Sequence, residues 1–146
     1  MVENISMQPT LYQGEFLLVN KLAYKLGSPH LGDIIIFPYP KDPQEKYIKR
    51  VIGLPGDVVK IENRVVSVND QALDEPYIAQ TTGYDGTWTV PPDQLFVLGD
   101  NRNQSSDSHV WGFVPINTVV GKALVIYWPL DKLQNLTHPE VVKASP

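Results

Sequence analysis

The chain consists largely of short runs that are either apolar or alternate apolar with polar residues, and turn residues separate these runs. This pattern predicts strands rather than long helices. The segment 58–68 predicts a hairpin with its tip at Glu62-Asn63. Residues 22–27 have helical potential, but the segment is too short to form a helix alone. Further strands are predicted at 16–19, 33–39, 46–53, 87–90, 95–98 and 119–128. We therefore predict a mainly β fold of antiparallel sheets with few short helices.

The length of 146 residues fits one domain with its own core. Residues 57–95 are rich in hairpin signals and are predicted to form a small subdomain, although no linker separates them from the rest. Residues 130–146 are polar without a clear period and are expected to be a surface tail. We thus expect a single domain over 1–146.

Composition excludes several classes of function. The net charge is −4 and the basic residues are scattered, which does not support nucleic-acid binding. The absence of cysteine excludes disulfides, thiolate metal sites and cysteine nucleophiles. The three histidines, His30, His109 and His138, are dispersed without metal-ligand spacing. Strongly apolar runs such as 34–37 are far shorter than the roughly 18 residues that cross a bilayer.

Ser6 and Lys49 are candidates for nucleophilic chemistry. A serine hydroxyl needs a base to take its proton, and lysine is such a base only when burial keeps it neutral. Period-two alternation places Lys49 between Tyr47 and Val51 on one face of the predicted strand, which offers burial. Two plainer interpretations stay open from spacing alone. Lys49 and Arg50 are also typical of an edge strand, and Ser6 is also typical of a helix cap.

A third segment, 97–115, contains a loop with an unusually high density of polar residues. The loop follows an apolar strand and ends where aromatic residues resume. The fourteen residues 99–112 contain two aspartates, three serines, two asparagines and one arginine. Solvent exposure alone explains the polarity but not the order of the residues.

Together these segments closely resemble bacterial type I signal peptidases. SMQPTL at 6–11 matches the family's nucleophile segment S-M-x-P-T-L, and YIKRVIGLPGD at 47–57 matches the segment of its general-base lysine. GDNRNQSSDSHVWGFVP at 99–115 resembles its G-D-N-R-D-N-S-x-D-S-R-x-W-G box. Agreement in order and spacing extends to 14–24, 32–37 and 121–129. The resemblance covers about residues 3–129.

The resemblance implies a role for each matched residue. Ser6 is implied to be the nucleophile and Lys49 the base that activates it. Ser105 matches the serine whose hydroxyl holds the lysine amine in place. Gly99 and Asp100 match the residues that support the floor of the site.

The chain departs from the family pattern at three positions. Asp107 matches a structural aspartate that pairs with an arginine two residues later, but His109 stands there and implies a weaker Asp–His contact. Asn103 replaces a more usual aspartate. Asn4, two positions before the nucleophile, is expected to donate to the oxyanion beside the Ser6 N–H, with a plain turn residue as the alternative.

The implied activity is a serine endopeptidase that removes signal peptides from secretory preproteins after small residues of the Ala-x-Ala type. It requires no metal or organic cofactor. The family's transmembrane segment precedes the nucleophile, so we expect a catalytic domain on the extracytoplasmic side of the cell membrane, near the lipid surface, whose anchor is absent here. Ile5, Met7 and 34–37 are candidates to line the small-residue pockets.

Two alternatives belong to other classes. A LexA-type self-cleaving protein also uses a Ser–Lys dyad, but its DNA-binding domain and internal Ala-Gly site have no counterpart here. A non-catalytic β-rich binding module would keep Ser6 and Lys49 apart.

Overall fold

The computed structural model describes residues 1–136, which form two antiparallel sheets with two short helices. The predicted mainly β, antiparallel fold is confirmed. The strands are β1 Phe16–Asn20, β2 Ile34–Tyr39, β3 Asp42–Gly53, β4 Val58–Glu62, β5 Val65–Val68, β6 Gln71–Ala72, β7 Gly86–Thr89, β8 Gln94–Leu98, β9 Val114–Pro115, β10 Gly121–Trp128 and β11 Gln134–Asn135. The helices are α1 Ala23–Leu26 and α2 Ser108–Trp111, with 3₁₀ turns at Ile116–Thr118 and Leu130–Lys132.

The first sheet has the order β1-β10-β2-β3-β8-β9, with β11 added beside β10. Strand β3 lies near its centre and pairs with β2 over most of its length, with Lys49 opposite Ile35. Strand β8 pairs with β3 only from Arg50 onward, where Arg50 lies opposite Leu98. The part of β3 before Arg50 therefore has no strand partner on this side among the described residues.

Both faces of this sheet are covered by apolar side chains. On one face, Ile34 packs with Met7 and Leu11 of the segment that contains Ser6. On the other face, Ile35 and its neighbours pack against β8 and β9. Burial of the first face thus fixes the N-terminal segment against the sheet.

The second sheet has the order β6-β5-β4-β7 and lies within the segment predicted to be a hairpin-rich subdomain. Its buried side chains pack on Phe96 and Leu98 of the first sheet. The predicted hairpin tip at Glu62-Asn63 is wrong by one residue. The turn residues are Asn63 and Arg64, at φ 52° and 66°, because a two-residue turn of this hand needs positive φ at both central positions.

Residues 130–135 of the expected 130–146 tail are exposed, but the described part also contacts the sheet and the core. Gln134 pairs with Ile126 of β10, and Leu136 is only 3% exposed because it packs in the core beside Met7. His138 and the rest of the tail lie outside the described residues. Among the described residues, no helix is both long and apolar enough to span a bilayer.

Candidate active site

Ser6 and Lys49 meet in the structure. The Lys49 amine donates a hydrogen bond to Ser6 Oγ over 2.8 Å, and a second one to the carbonyl of Ile48 over 3.2 Å. Lys49 is only 2% exposed and Ser6 only 7% exposed. The alternative in which Lys49 is a solvated edge residue is therefore wrong.

The end of strand β8 makes room for this contact. After Leu98 the chain leaves the sheet at Gly99, and the N–H of Asn101 donates to the carbonyl of Ser6 over 2.9 Å. The Ser6 segment thereby lies next to β3 at the point where β8 no longer pairs with it. Because β8 ends early, the site of Ser6 and Lys49 lies at an edge of β3 that no described strand covers.

Burial lowers the pKa of Lys49 from 10.5 to about 8. The negative charges of Asp107 and Asp100 act in the opposite direction and keep the pKa from falling further. An amine with this pKa supplies a neutral base in mildly alkaline solution, which is the state that takes a proton from a hydroxyl.

Asn4 binds Ser6 as an acceptor. Its Oδ1 accepts from the backbone N–H of Ser6 over 3.1 Å and from Ser6 Oγ over 2.8 Å. An N–H requires an acceptor, so the amide oxygen faces Ser6 and the amide nitrogen does not. The predicted donation to an oxyanion requires this amide to turn, and that role stays a prediction.

Ser105 lies in the site without the predicted bond to Lys49. Its Oγ is buried and has no hydrogen-bond partner among the described residues. Gly99 separates it from the nucleophile, since a Cβ on Gly99 would lie 2.2 Å from Ser105 Oγ and 2.5 Å from the Ser6 carbonyl oxygen. The close approach of these two residues therefore depends on the missing side chain of Gly99. The orienting role of Ser105 stays a prediction.

Asp100 is buried in a bidentate ion pair with Arg50, which sequence reasoning missed. Arg50 Nε and Nη2 donate to the two carboxylate oxygens over 2.9 and 2.7 Å, and the Thr10 hydroxyl donates to the same carboxylate. Arg50 is completely buried. The pair ties the polar loop to β3 and to the segment that follows Ser6.

A second buried arginine holds the same loop from the other side. Arg102 donates to both carboxylate oxygens of Glu75 and, through Nε, to the carbonyl of Gly99 over 3.0 Å. The ring of Tyr77 lies between the two pairs, 3.8 Å from the Arg50 guanidinium carbon and 6.0 Å from that of Arg102. No sequence signal linked Glu75 and Tyr77 to the site.

Asp107 fixes the end of the loop. Its carboxylate accepts from the N–H of Gly99 over 2.9 Å and caps α2 at the N–H of His109. The expected contact between Asp107 and the His109 ring is present. Tyr84, which sequence reasoning missed, stacks on that ring at a centroid distance of 3.7 Å.

A groove of about 750 Å³ runs from Asn4 and Met7 along the part of β3 that has no described strand partner on its β8 side. Ile36 also lines it, whereas Ile5 does not. Its lining from β3 is Gln44, Glu45, Lys46, Tyr47 and Ile48. Of the pocket candidates at 34–37, the buried Ile34, Ile35 and Phe37 belong to the core instead. Among residues 1–136, no cluster of His, Asp and Glu is placed to hold a metal ion.

Comparison with known proteins agrees with this geometry. The family model described as signal peptidase, peptidase S26, matches residues 1–128. The chain belongs to the S26 family of signal peptidases. This membership accounts for the likeness of its motifs and of its sheets to those of type I signal peptidases.

Individual family members match most of the chain. A probable signal peptidase I of Synechocystis is 43% identical over 99% of this chain and 71% of its own length. The signal peptidase I of Bacillus caldolyticus is 45% identical over 90% of this chain and 80% of its own. The crystal structure of a signal peptidase I from Enterococcus faecalis superimposes with a TM-score of 0.61 at 35% identity, over 66% of this chain and 97% of the other.

Proposed function

We infer that this chain is a signal peptidase, a serine endopeptidase that removes N-terminal signal peptides from secretory preproteins. Family membership supports the reaction class. The observation that carries the mechanism is the 2.8 Å contact between the amine of Lys49 and Ser6 Oγ in a buried site.

The mechanism begins when Lys49 loses its proton. The neutral amine takes the proton of Ser6 Oγ, and the oxygen attacks the scissile carbonyl carbon to give a tetrahedral oxyanion. The Ser6 N–H and the turned amide of Asn4 donate to that oxyanion. The ammonium of Lys49 then protonates the leaving amine, and the acyl-enzyme remains on Ser6 Oγ. Lys49 next activates a water that hydrolyses the ester.

The groove beside β3 suits an extended substrate. Because β8 pairs with β3 only from Arg50 onward, the backbone of Gln44 to Ile48 is available to pair with a peptide. Met7, Ile36 and Ile48 give this groove an apolar part, which suits the small apolar side chains of an Ala-x-Ala sequence. The cut then falls next to Ser6.

Supporting residues keep the base in position. Ser105 has a buried, unpartnered hydroxyl beside Gly99, and it is the proposed partner that orients the Lys49 amine. Asp107 holds the Gly99 N–H and supplies negative charge to the site. Gly99 and Asp100 support the floor.

A lipid surface is the proposed environment of the site. Exposed apolar side chains gather around β1, the end of β10 and the following turn: Tyr12, Phe16, Leu18, Tyr127, Trp128, Leu130 and Leu133. Tyr12 and Leu133 line one hollow with Pro9, three residues after Ser6. Aromatic and aliphatic side chains of this kind bury themselves at the interface of a bilayer. The proposed location is the extracytoplasmic face of the cell membrane.

The decisive experiment measures turnover of a detergent-solubilised peptide that contains Ala-x-Ala. Ser6→Ala and Lys49→Ala are expected to abolish cleavage, while the surface variants Ser28→Ala and Lys41→Ala retain it. Cleavage by Ser6→Ala at the wild-type rate would overturn the dyad. Cleavage of the chain itself, detected by mass spectrometry without peptide turnover, would support the LexA-type alternative, and binding without any cleavage the binding module.

A further inference from the structure

Asn101 holds both peptide units that flank the nucleophile. Its backbone N–H donates to the carbonyl of Ser6 over 2.9 Å, and its side-chain Nδ2 donates to the carbonyl of Ile5 over 3.1 Å. Neither bond involves the Ser6 hydroxyl, so the mechanism above assigns no part to Asn101. The two bonds nevertheless determine how the main chain around Ser6 is turned.

The bond to Ile5 has a specific consequence for Ser6. The Ile5–Ser6 peptide bond is trans, and in a planar trans unit the C=O and the N–H point in opposite directions. Because Asn101 Nδ2 draws the Ile5 carbonyl to one side, the Ser6 N–H of the same unit points to the other. There it donates to Asn4 Oδ1, the same atom that accepts from Ser6 Oγ.

We propose that the side chain of Asn101 is a positioning residue that aims the Ser6 N–H at the oxyanion. This inference rests on the proposed function, in which that N–H is an oxyanion donor. Donation to the Ile5 carbonyl also polarises the shared peptide unit and strengthens its N–H as a donor. The residue acts on the transition state without touching the substrate.

Asn101 is suited to this task because its loop is held firmly. Its neighbour Asp100 is locked by the buried bidentate pair with Arg50, and Arg102 on the other side pairs with Glu75. The carbonyl of Asn101 itself accepts from the N–H of Gln104 over 2.9 Å. An amide mounted on such a loop keeps a fixed direction, which preorganised donors require.

The test compares Asn101→Ala and Asn101→Asp with the wild type and with Asn103→Ala. Both Asn101 variants keep the backbone bond to Ser6. Asn101→Ala removes the side-chain donor without adding charge, and Asn101→Asp keeps the size of Asn but replaces the donor with a charged acceptor. Asn103 lies in the same loop, but its amide donates to the Thr81 carbonyl and accepts from the Gly83 N–H, so it is the matched control. Thermal unfolding of each variant checks that it is folded.

The expected result is weaker stabilisation of the transition state with unchanged binding of the substrate. In both Asn101 variants kcat should fall about tenfold or more, while KM changes by less than about twofold. Inhibition by an Ala-x-Ala peptide aldehyde, which forms an oxyanion on Ser6, should weaken by a similar factor. Binding of an uncleavable Ala-x-Ala peptide should stay unchanged, and Asn103→Ala should resemble the wild type.

Three results would overturn the inference: wild-type kcat in both folded Asn101 variants, equal weakening of aldehyde and uncleavable peptide, or the same losses in Asn103→Ala. Ser6→Ala separates this failure from that of the proposed function. If Ser6→Ala is inactive while the Asn101 variants are normal, only the role of Asn101 is wrong. If Ser6→Ala cleaves normally, the proposed mechanism is wrong as well.

Discussion

Lys49 donates its hydrogen bond to Ser6 over 2.8 Å, and Ser6 in turn donates to Asn4. The Ser6 hydroxyl therefore points toward Asn4 and not toward the amine, which is the reverse of what proton abstraction by Lys49 needs. Loss of one proton from Lys49 reverses it, because the hydroxyl can then donate to the free amine. The resting arrangement is therefore inactive until Lys49 is deprotonated.

The first prediction concerns the pH dependence of activity. Since burial lowers the pKa of Lys49 to about 8, kcat/KM should rise with pH through about 8 and level off above it. The measurement is a pH profile of peptide cleavage at substrate concentrations well below KM. An acid limb that persists in the residual activity of Lys49→Ala would assign it to another group.

The second prediction uses Asp107, whose charge raises the pKa of Lys49. Asp107→Asn removes that charge and keeps an acceptor for the helix cap, so the acid limb should move to lower pH. Asp131→Asn, a change of the same kind at an exposed position, should leave the profile in place. A limb that moves to higher pH in Asp107→Asn would contradict the electrostatic explanation.

The third prediction concerns stability. Below pH 8 the folded protein carries a buried ammonium, which costs free energy; between about 8 and 10.5 the unfolded chain binds the extra proton and stability rises with pH. Lys49→Met should therefore stabilise the fold at pH 7 by up to about 3 kcal/mol. The gain should fade toward pH 10.5, the ordinary pKa of lysine. Urea unfolding at several pH values measures it, and a destabilised variant at pH 7 would refute it.

The fourth prediction concerns the buried pair of Arg50 and Asp100. Arg50→Met leaves the carboxylate buried without its partner and should destabilise the fold by about 3–5 kcal/mol. The double variant Arg50→Met/Asp100→Asn should lose less than the sum of the single variants, because the uncompensated charge is gone. Lys60→Met, which breaks the exposed pair with Glu62, should have no measurable effect. Additive losses in the double variant would show that the pair is not coupled.

The fifth prediction separates the acceptor and donor roles of Asn4. Asn4→Asp keeps the acceptor that Ser6 uses at rest, but it cannot donate and its charge opposes the oxyanion. Its kcat should fall about 10²–10³-fold, and Asn4→Gly, which removes the group without adding charge, should fall less. Equal kcat for Asn4→Asp and the wild type would mean that Asn4 takes no part in catalysis.

Most of the strands were predictable because alternation and turn residues are local signals. Strand β3 begins at Asp42 instead of 46, since Asp42 pairs with Tyr39 in a hairpin whose register the apolar pattern does not encode. The packing of Leu136 was also missed, because Leu130, Leu133 and Leu136 lie in the same polar stretch and the sequence does not show which of them is buried.

The site was predictable where a motif carried it and not where distant residues pair. Ser6 and Lys49 were found through their motifs. Arg50 was considered only as a residue typical of an edge strand, which gave no reason to expect it to be buried. Its partner Asp100 lies 50 positions away, and no spacing rule connects them. The direction of the Asn4 amide depends on a three-residue turn geometry that composition does not reveal.

The two buried arginines determine how the structure around the active site responds to a change in pH. A guanidinium group stays cationic at every pH at which lysine gains or loses its proton. The framework around Tyr77 thus keeps its charges while Lys49 switches between its two forms. Alkaline conditions deprotonate Lys49 and leave the arginine ion pairs that hold the surrounding structure intact. The ionisation of Lys49 alone therefore governs the onset of activity.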